Sequence, residues 1–240
     1  MNLYAFLIGA GGSLAVWRVT KTVVSSLAKR WALAALFVLA GALFGARIGF
    51  VFWQPGSFFG SFWQVFRLDQ GGLVWFGALP GAWLIVWLIA KQRSLPFVMV
   101  ADRMATMLPP MGIMTWLACW TAGCGYGVVL DNGWWAPFTM DERGLWAVRL
   151  PLQFLAALSL FLIFSTWEAK FPKRRPGQRA ALTWLLFSAH TLFFSFLRAD
   201  PRPIWQDLAW DEWAALFFLG TALIFFLITF WPRKKIERYA

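Results

Sequence analysis

The chain has 240 residues, 60% of them hydrophobic and only 14% charged. Soluble domains carry about 25% charged residues, so water is excluded as the solvent for most of this surface. The net charge of +11 invites a nucleic-acid partner, but the basic residues form short clusters between apolar runs rather than one stripe, which argues against it.

A spanning helix needs about 20 mostly apolar residues. Seven runs meet that need, at about Leu3–Leu27, Trp31–Trp53, Gly71–Ala90, Leu95–Gly123, Val148–Trp167, Ala180–Leu197 and Glu212–Trp231. No cleavage site separates the first run from the second, so it reads as a retained helix. Its Arg18 and Lys21 must snorkel toward water. The fourth run is longer than a span requires and holds Asp102, Arg103 and Pro109–Pro110. A kink or break is expected there, because proline removes a backbone donor and clashes with the preceding turn. Lipid permits only helices and closed barrels, and apolar runs of this length predict helices.

Basic residues set the orientation. The links after runs one, three and five, with the C-terminal tail, carry 15 of the 22 Lys and Arg. The opposite links hold Arg67, Arg143, Arg149, Arg198 and Arg202, and eight of the 11 acids. The positive-inside rule makes the tail cytoplasmic and, with seven spans, the N-terminus external. The expectation is an all-α membrane protein, residues 1–240 forming one integral membrane domain.

Ionisable residues inside a span are candidates for function. Arg47 lies in Gly45-Ala46-Arg47-Ile48-Gly49, whose small residues let a helix or a lipid headgroup approach closely; the plain alternative is an Arg snorkelling to the interface. Asp102 and Arg103 read as buried polar contacts or a polar break. Arg198-Ala199-Asp200-Pro201-Arg202-Pro203 sets two arginines among rigid prolines at the outer end of run six, and arginine matches phosphate with paired hydrogen bonds. His190, the single histidine, reads as a packed neutral residue. Cys119 and Cys124 are too few for a disulfide framework and are not spaced as C-x-x-C; they read as small core residues. Two glycine-rich stretches, Gly71-Gly72 through Gly81 and Gly123-Cys124-Gly125-Tyr126-Gly127, fit close helix packing or backbone amides exposed to a ligand. Walker, G-x-S-x-G and H-E-x-x-H motifs are missing, as are paired carboxylates within the runs. No metal or cofactor is implied.

Taken in order, these pieces resemble the bacterial prolipoprotein diacylglyceryl transferases over most of the chain. Tyr4 resembles the family's opening Tyr-Gly, and Gly45-Ala46-Arg47 its Gly-Ala-Arg. Gly71-Gly72-Leu73 through Gly81 resembles its Gly-Gly-Leu…Gly-Gly segment. Trp116 through Gly127 resembles the family signature, and Leu197-Arg198-Ala199-Asp200-Pro201 its element before the last helix. The resemblance implies a multi-pass enzyme of the bacterial inner membrane. It would move the diacylglyceryl group of phosphatidylglycerol, drawn from membrane lipid, to the lipobox cysteine of a prolipoprotein signal peptide. It further implies Arg198 and Tyr4 in catalysis, and Arg47, Arg198, Arg202, Gly71, Gly72 and Gly127 in holding phospholipid. The chain departs from the pattern where Phe76, Trp116, Cys119, Cys124, Thr191 and Ser195 stand at positions the family fills with polar or charged groups. Those departures frame the alternatives: a non-catalytic member binding lipid or a partner protein at the outer leaflet, or a transporter.

Overall fold

The computed structural model describes residues 3–21, 23–58, 62–67, 72–131, 133–141, 143–170 and 175–230. Eight α-helices account for most of them. They are α1 (Leu3–Thr20), α2 (Ser25–Trp53), α3 (Trp75–Gln92), α4 (Phe97–Met104), α5 (Leu108–Ala122), α6 (Leu152–Lys170), α7 (Gln178–Phe196) and α8 (Trp210–Phe230). Helices α1, α2 and α8 are each long and apolar enough to cross a membrane. With Leu, Phe, Ile and Trp side chains turned outward along them, the architecture is that of an all-α membrane protein.

Two helix limits differ from the expected ones. The first helix ends at Thr20 rather than Leu27, and the second begins at Ser25. Arg18 does not need to snorkel, because it pairs with Glu168 at the end of α6. The fourth run is broken, but not by a proline kink. A 3-10 turn at Ala105–Met107 separates α4 from α5, and Pro109 and Pro110 fall in the first turn of α5. Proline is tolerated there because the N–H it lacks would have had no helical partner.

Helices α2 and α3 pack backbone to backbone. Gly41, Gly45 and Gly49 recur every fourth residue on α2 and face Gly77 and Gly81 of α3. A methyl group at Gly45 would meet the Gly77 carbonyl and the Gly81 backbone in hard overlap, and one at Gly49 would lie 2.8 Å from Val74 Cγ2. In lipid, where no hydrophobic force draws apolar helices together, such close van der Waals packing supplies the association.

The ends of the helices opposite Arg198 are tied by polar groups. Asp102 of α4 accepts from the backbone N–H of Gly177 (2.6 Å) and Ala180 (2.7 Å), so one carboxylate caps the first turn of α7. Its neighbour Arg103 points elsewhere, donating to the Val19 carbonyl and lying over the Trp31 ring. Both intramembrane charges of the fourth run therefore join helix ends. His190 packs between α6 and α7, stacked on Phe194 and bonded through Nε2 to Ser159 Oγ (2.8 Å) and the Ala156 carbonyl (3.1 Å).

At the other end the α5–α6 link folds as an antiparallel hairpin, β1 (Phe138–Met140) on β2 (Trp146–Val148). Asp141 organises its turn, with Oδ1 accepting from Arg143 N and Leu145 N and Oδ2 from Arg149 Nη2. Arg149 lies over the Tyr126 ring at 4.3 Å, and the Tyr126 carbonyl accepts from Ala199 N of the α7–α8 link. A second hairpin in that link pairs β3 (Ile204–Trp205) with β4 (Leu208–Ala209).

Two outcomes follow from this packing. Gly45→Ala should cost about 1–3 kcal/mol by overpacking, whereas Gly9→Ala, which has open space around it, should be neutral. Thermal unfolding in one detergent would compare them, and equal melting temperatures would contradict the close packing of α2 and α3. The Asp141 carboxyl is held below the usual carboxylate range, chiefly by the Leu145 N–H. Its contribution to the hairpin is whole above the ordinary carboxylate value of about 4 and is lost as pH falls through the depressed folded value. Amide exchange in residues 138–148 should accelerate over that acid range, and Asp141→Asn should remove the dependence.

Candidate functional site

A cavity of about 980 Å3 runs between the helices. Its walls come from α1 (Ile8, Gly12, Val16), α2 (Leu39, Leu43), α3 (Leu79, Trp83), α5 (Met111, Trp116) and α7 (Thr183, Phe187). Almost all of this lining is apolar. Charge enters at one end, where Arg198 and Asp211 reach the wall beside Tyr4, Cys119, Gly125, Thr191 and Ser195.

That end is built around one carboxylate. Asp211, in the first turn of α8 and buried to 6% exposure, receives Arg198 Nη1 (3.0 Å), Arg202 Nη1 (2.9 Å to each oxygen) and Ser195 Oγ (3.3 Å). Arg198 also makes a two-pronged contact with Asp200, through Nε at 2.9 Å and Nη2. Arg202 extends to Glu212 (3.4 Å) and to the carbonyls of Ser195 and Arg198. Glu212 in turn accepts the Ala209 N–H, a side chain reaching back to the chain that enters α8. Burial by itself would lower the pKa of Arg198, but Asp200 and Asp211 outweigh it and hold the guanidinium above its ordinary value. The cation therefore stays charged. Three of its five N–H groups are committed to carboxylates, which leaves two for a ligand among the described residues.

The expected site residues divide into two groups. Tyr4 and Arg198 both line the cavity at its charged end, and Arg202 stands behind them as a support for Asp211. Arg47, Gly72 and Gly127 lie elsewhere. The Arg47 guanidinium is buried and donates to four carbonyls of the α2–α3 link: Val65 (2.8 Å), Gln64 (2.5 Å), Arg67 (3.1 Å) and Gly72 (3.2 Å). It organises a loop instead of facing the cavity, and the reading of Arg47 as a snorkelling side chain also fails. Gly72 has a φ of +74°, and a Cβ there would lie 2.6 Å from Arg47 Nη1, so glycine is needed for that same loop contact. Gly127 is pressed against Leu150, where a Cβ would meet the Leu150 carbonyl at 2.9 Å. Gly125, with φ of +64°, is the signature glycine that reaches the cavity. Gly71 lies outside the described residues.

Asp211 was visible in the sequence only as an acid in an outer link. Thirteen positions separate it from Arg198, and no short motif encodes that pairing. The one available signal was the acidic pair Asp211-Glu212 at the head of an apolar run, which reads first as a helix start. Among the described residues no group of three or more His, Cys, Asp or Glu could hold a metal ion.

Comparison with known proteins identifies the family. Residues 1–228 match the family model for prolipoprotein diacylglyceryl transferase. The chain belongs to this family. It is 26% identical to a phosphatidylglycerol–prolipoprotein diacylglyceryl transferase of Burkholderia multivorans over 237 residues, 94% of this chain and 76% of that protein. A transferase of the same name from Hydrogenovibrio crunogenus is 26% identical over 204 residues, 81% of this chain and 75% of its own. One from Nitratidesulfovibrio vulgaris is 25% identical over 171 residues, and there the match spans 62% of the relative's length. The positions at which this chain departs from the family pattern cluster in space. Trp116, Cys119, Thr191 and Ser195 all line the cavity, whereas Phe76 packs edge-on against Trp53 and Trp75.

Removing one partner of a buried ionic cluster leaves the other charge uncompensated, at a cost of about 3–5 kcal/mol. Arg202→Ala should therefore destabilise the protein by about that amount, and adding Asp211→Asn should recover part of it. Melting temperatures of the two variants in one detergent test this coupling; a fully additive double variant would contradict it.

Proposed function

We propose that this chain transfers a diacylglyceryl group from phosphatidylglycerol to the lipobox cysteine of a prolipoprotein at the outer face of the bacterial inner membrane. One observation carries the reading: a large cavity lined almost wholly by apolar groups has Arg198 and Asp211 as its charged lining among the described residues, the polarity of a phospholipid. Family membership and the relatives' names support the same substrate pair. In the topology that goes with it, residues 1–240 form one domain of seven spans, with α4, the 3-10 turn and α5 together making the fourth. The N-terminus is external and the C-terminus cytoplasmic. The clustering of Arg198, Arg202, Asp200 and Asp211 at one end, and of Arg18, Arg93, Arg103 and Asp102 at the other, supports this orientation.

The acyl chains occupy the apolar length lined by Leu39, Leu79, Trp83 and Met111. The headgroup phosphate lies at Arg198, which offers its two remaining N–H groups. The incoming cysteine thiolate attacks the glycerol carbon that bears the phosphate ester. The C–O bond breaks, a thioether forms and glycerol phosphate leaves. Arg198 favours the thiolate and the growing charge on the leaving phosphate, an electrostatic role suited to a low-dielectric site. Tyr4 supplies a hydroxyl at the same rim. Asp211 and Asp200 do not touch substrate. They hold the guanidinium in place, so that little reorganisation is needed as charge develops.

Arg47, Gly72 and Gly127 serve the reaction indirectly in this scheme, by fixing the loop and turn that border the cavity. The departures at Trp116, Cys119, Thr191 and Ser195 leave Arg198 as the one cation lining the cavity among the described residues. Catalysis therefore rests on positioning and on this single charge.

The test is complementation of a transferase-depleted bacterium, with mass spectrometry of a lipobox peptide. Addition of a diacylglyceryl group is expected. Its failure to appear with a well-expressed, membrane-inserted chain would overturn the enzymatic reading and favour lipid or partner binding without catalysis. Arg198→Ala should abolish transfer while membrane insertion persists, and Arg198→Lys should restore only part of it, since lysine keeps the charge but not the planar fork.

A further inference from the structure

Cys119 and Cys124 are the only cysteines of the chain, and the proposed reaction uses neither. Helix α5 ends in a Schellman motif. Gly123 takes the left-handed conformation with φ of +69°, its N–H bonds to the Cys119 carbonyl, and Cys124 N also donates to that carbonyl at 2.9 Å. The motif brings the residue just past the glycine back over the residue four before the glycine, and a side-chain contact between the two commonly accompanies it. Those two residues here are Cys124 and Cys119. The backbone of Cys124 is held from its other side too, because its carbonyl accepts Gln153 Nε2 at 3.0 Å. Both cysteines are free thiols and neither is fully buried. Cys119 reaches the cavity wall beside Arg198.

A disulfide forms between cysteines whose Cα atoms lie about 4.4–6.8 Å apart with converging Cβ vectors. The backbone bond from Cys124 N to the Cys119 carbonyl holds the two residues at that spacing, and the side-chain contact that accompanies such a helix end turns them toward each other. The thiolate is the form that attacks a disulfide.

We propose that Cys119 and Cys124 are a reversible redox-modification site at the charged end of the cavity, forming an intramolecular disulfide with a disulfide oxidant at the outer membrane face. The Cys119 thiolate attacks one sulfur of the oxidant's disulfide, giving a mixed disulfide and releasing one oxidant thiol. The Cys124 thiol then loses its proton and displaces the second. Two protein thiols become one S–S bond, and their two protons and two electrons pass to the oxidant, which leaves as a pair of thiols. The bridge closes the turn from 119 to 124 covalently and removes a thiol from the cavity wall. This site stands without the transfer reaction; only its external location rests on the topology proposed above.

The test uses the full chain in detergent with oxidised glutathione as the probe. After exposure, the protein is denatured in acid, treated with a maleimide, and weighed intact. The wild type should lose the mass of two hydrogens and take up no maleimide, and dithiothreitol should restore two reactive thiols. Cys119→Ser and Cys124→Ser should each retain one glutathione instead. Two maleimides on the oxidant-treated wild type, two retained glutathiones, or a disulfide-linked dimer would each overturn the proposal. None of these readouts depends on lipid transfer, so failure here is separable from failure of the enzymatic reading.

Discussion

The contact on which the site depends is that of Asp211 with two guanidinium groups. Asp211 lies in the first turn of α8, Arg198 just beyond the end of α7, and Arg202 further along the link between them. Bringing three charges out of water costs several kcal/mol per ion unless every lone pair and N–H finds a partner. Here the partners are supplied almost completely, by Ser195, Asp200, Glu212 and backbone carbonyls. The result fixes a charged plane at the end of an apolar chamber. A guanidinium held this way keeps its charge in a poorly solvated place, where each unit of charge acts over a longer range than it would in water.

Polar groups elsewhere in the molecule serve the same end of shaping a cavity they do not enter. Arg47 gathers the loop that precedes α3 by donating to its carbonyls, among them those of Gln64 and Val65. Asp102 caps α7 from α4. The glycine faces of α2 and α3 let two walls of the chamber close without side chains between them. Function at one end is thus supported by unrelated polar devices at several helix termini.

Much of the helical framework was legible from the sequence because lipid permits so few backbone solutions. Apolar runs located the helices to within a few residues, except where Thr20 and Ser25 interrupt what reads as a continuous stretch. The break at Ala105–Met107 was legible only as a consequence of Pro109 and Pro110, and its position differs because proline can start a helix as well as kink one. For the site, motif order singles out Arg198 and Tyr4, which line the cavity. The sequence around Arg47 reads the same whether the guanidinium meets loop carbonyls, as it does here, or a phosphate. Asp211 was passed over because a pairing across thirteen residues and a hairpin leaves no local pattern. Which glycine of the signature meets the cavity depends on backbone φ, so Gly125 and Gly127 could not be told apart.

Trp116, Cys119, Thr191 and Ser195 line the cavity together with Arg198, so the surroundings of that cation are uncharged apart from its carboxylate partners. A chamber with fewer polar groups solvates a phosphate less well and an acyl chain better. In such surroundings the remaining cation contributes more to binding a headgroup, because competing water and dipoles are fewer. The carboxylates that flank Arg198 then acquire a second effect. With Asp200, Asp211 and Glu212 set against Arg198 and Arg202, the cluster carries more acid than base when all are ionised, and it disfavours a bare dianion such as inorganic phosphate. A phosphodiester bears a single charge and brings apolar chains that fill the chamber. In the proposed reaction, the same arrangement that neutralises the arginines therefore favours a phospholipid over a free phosphate.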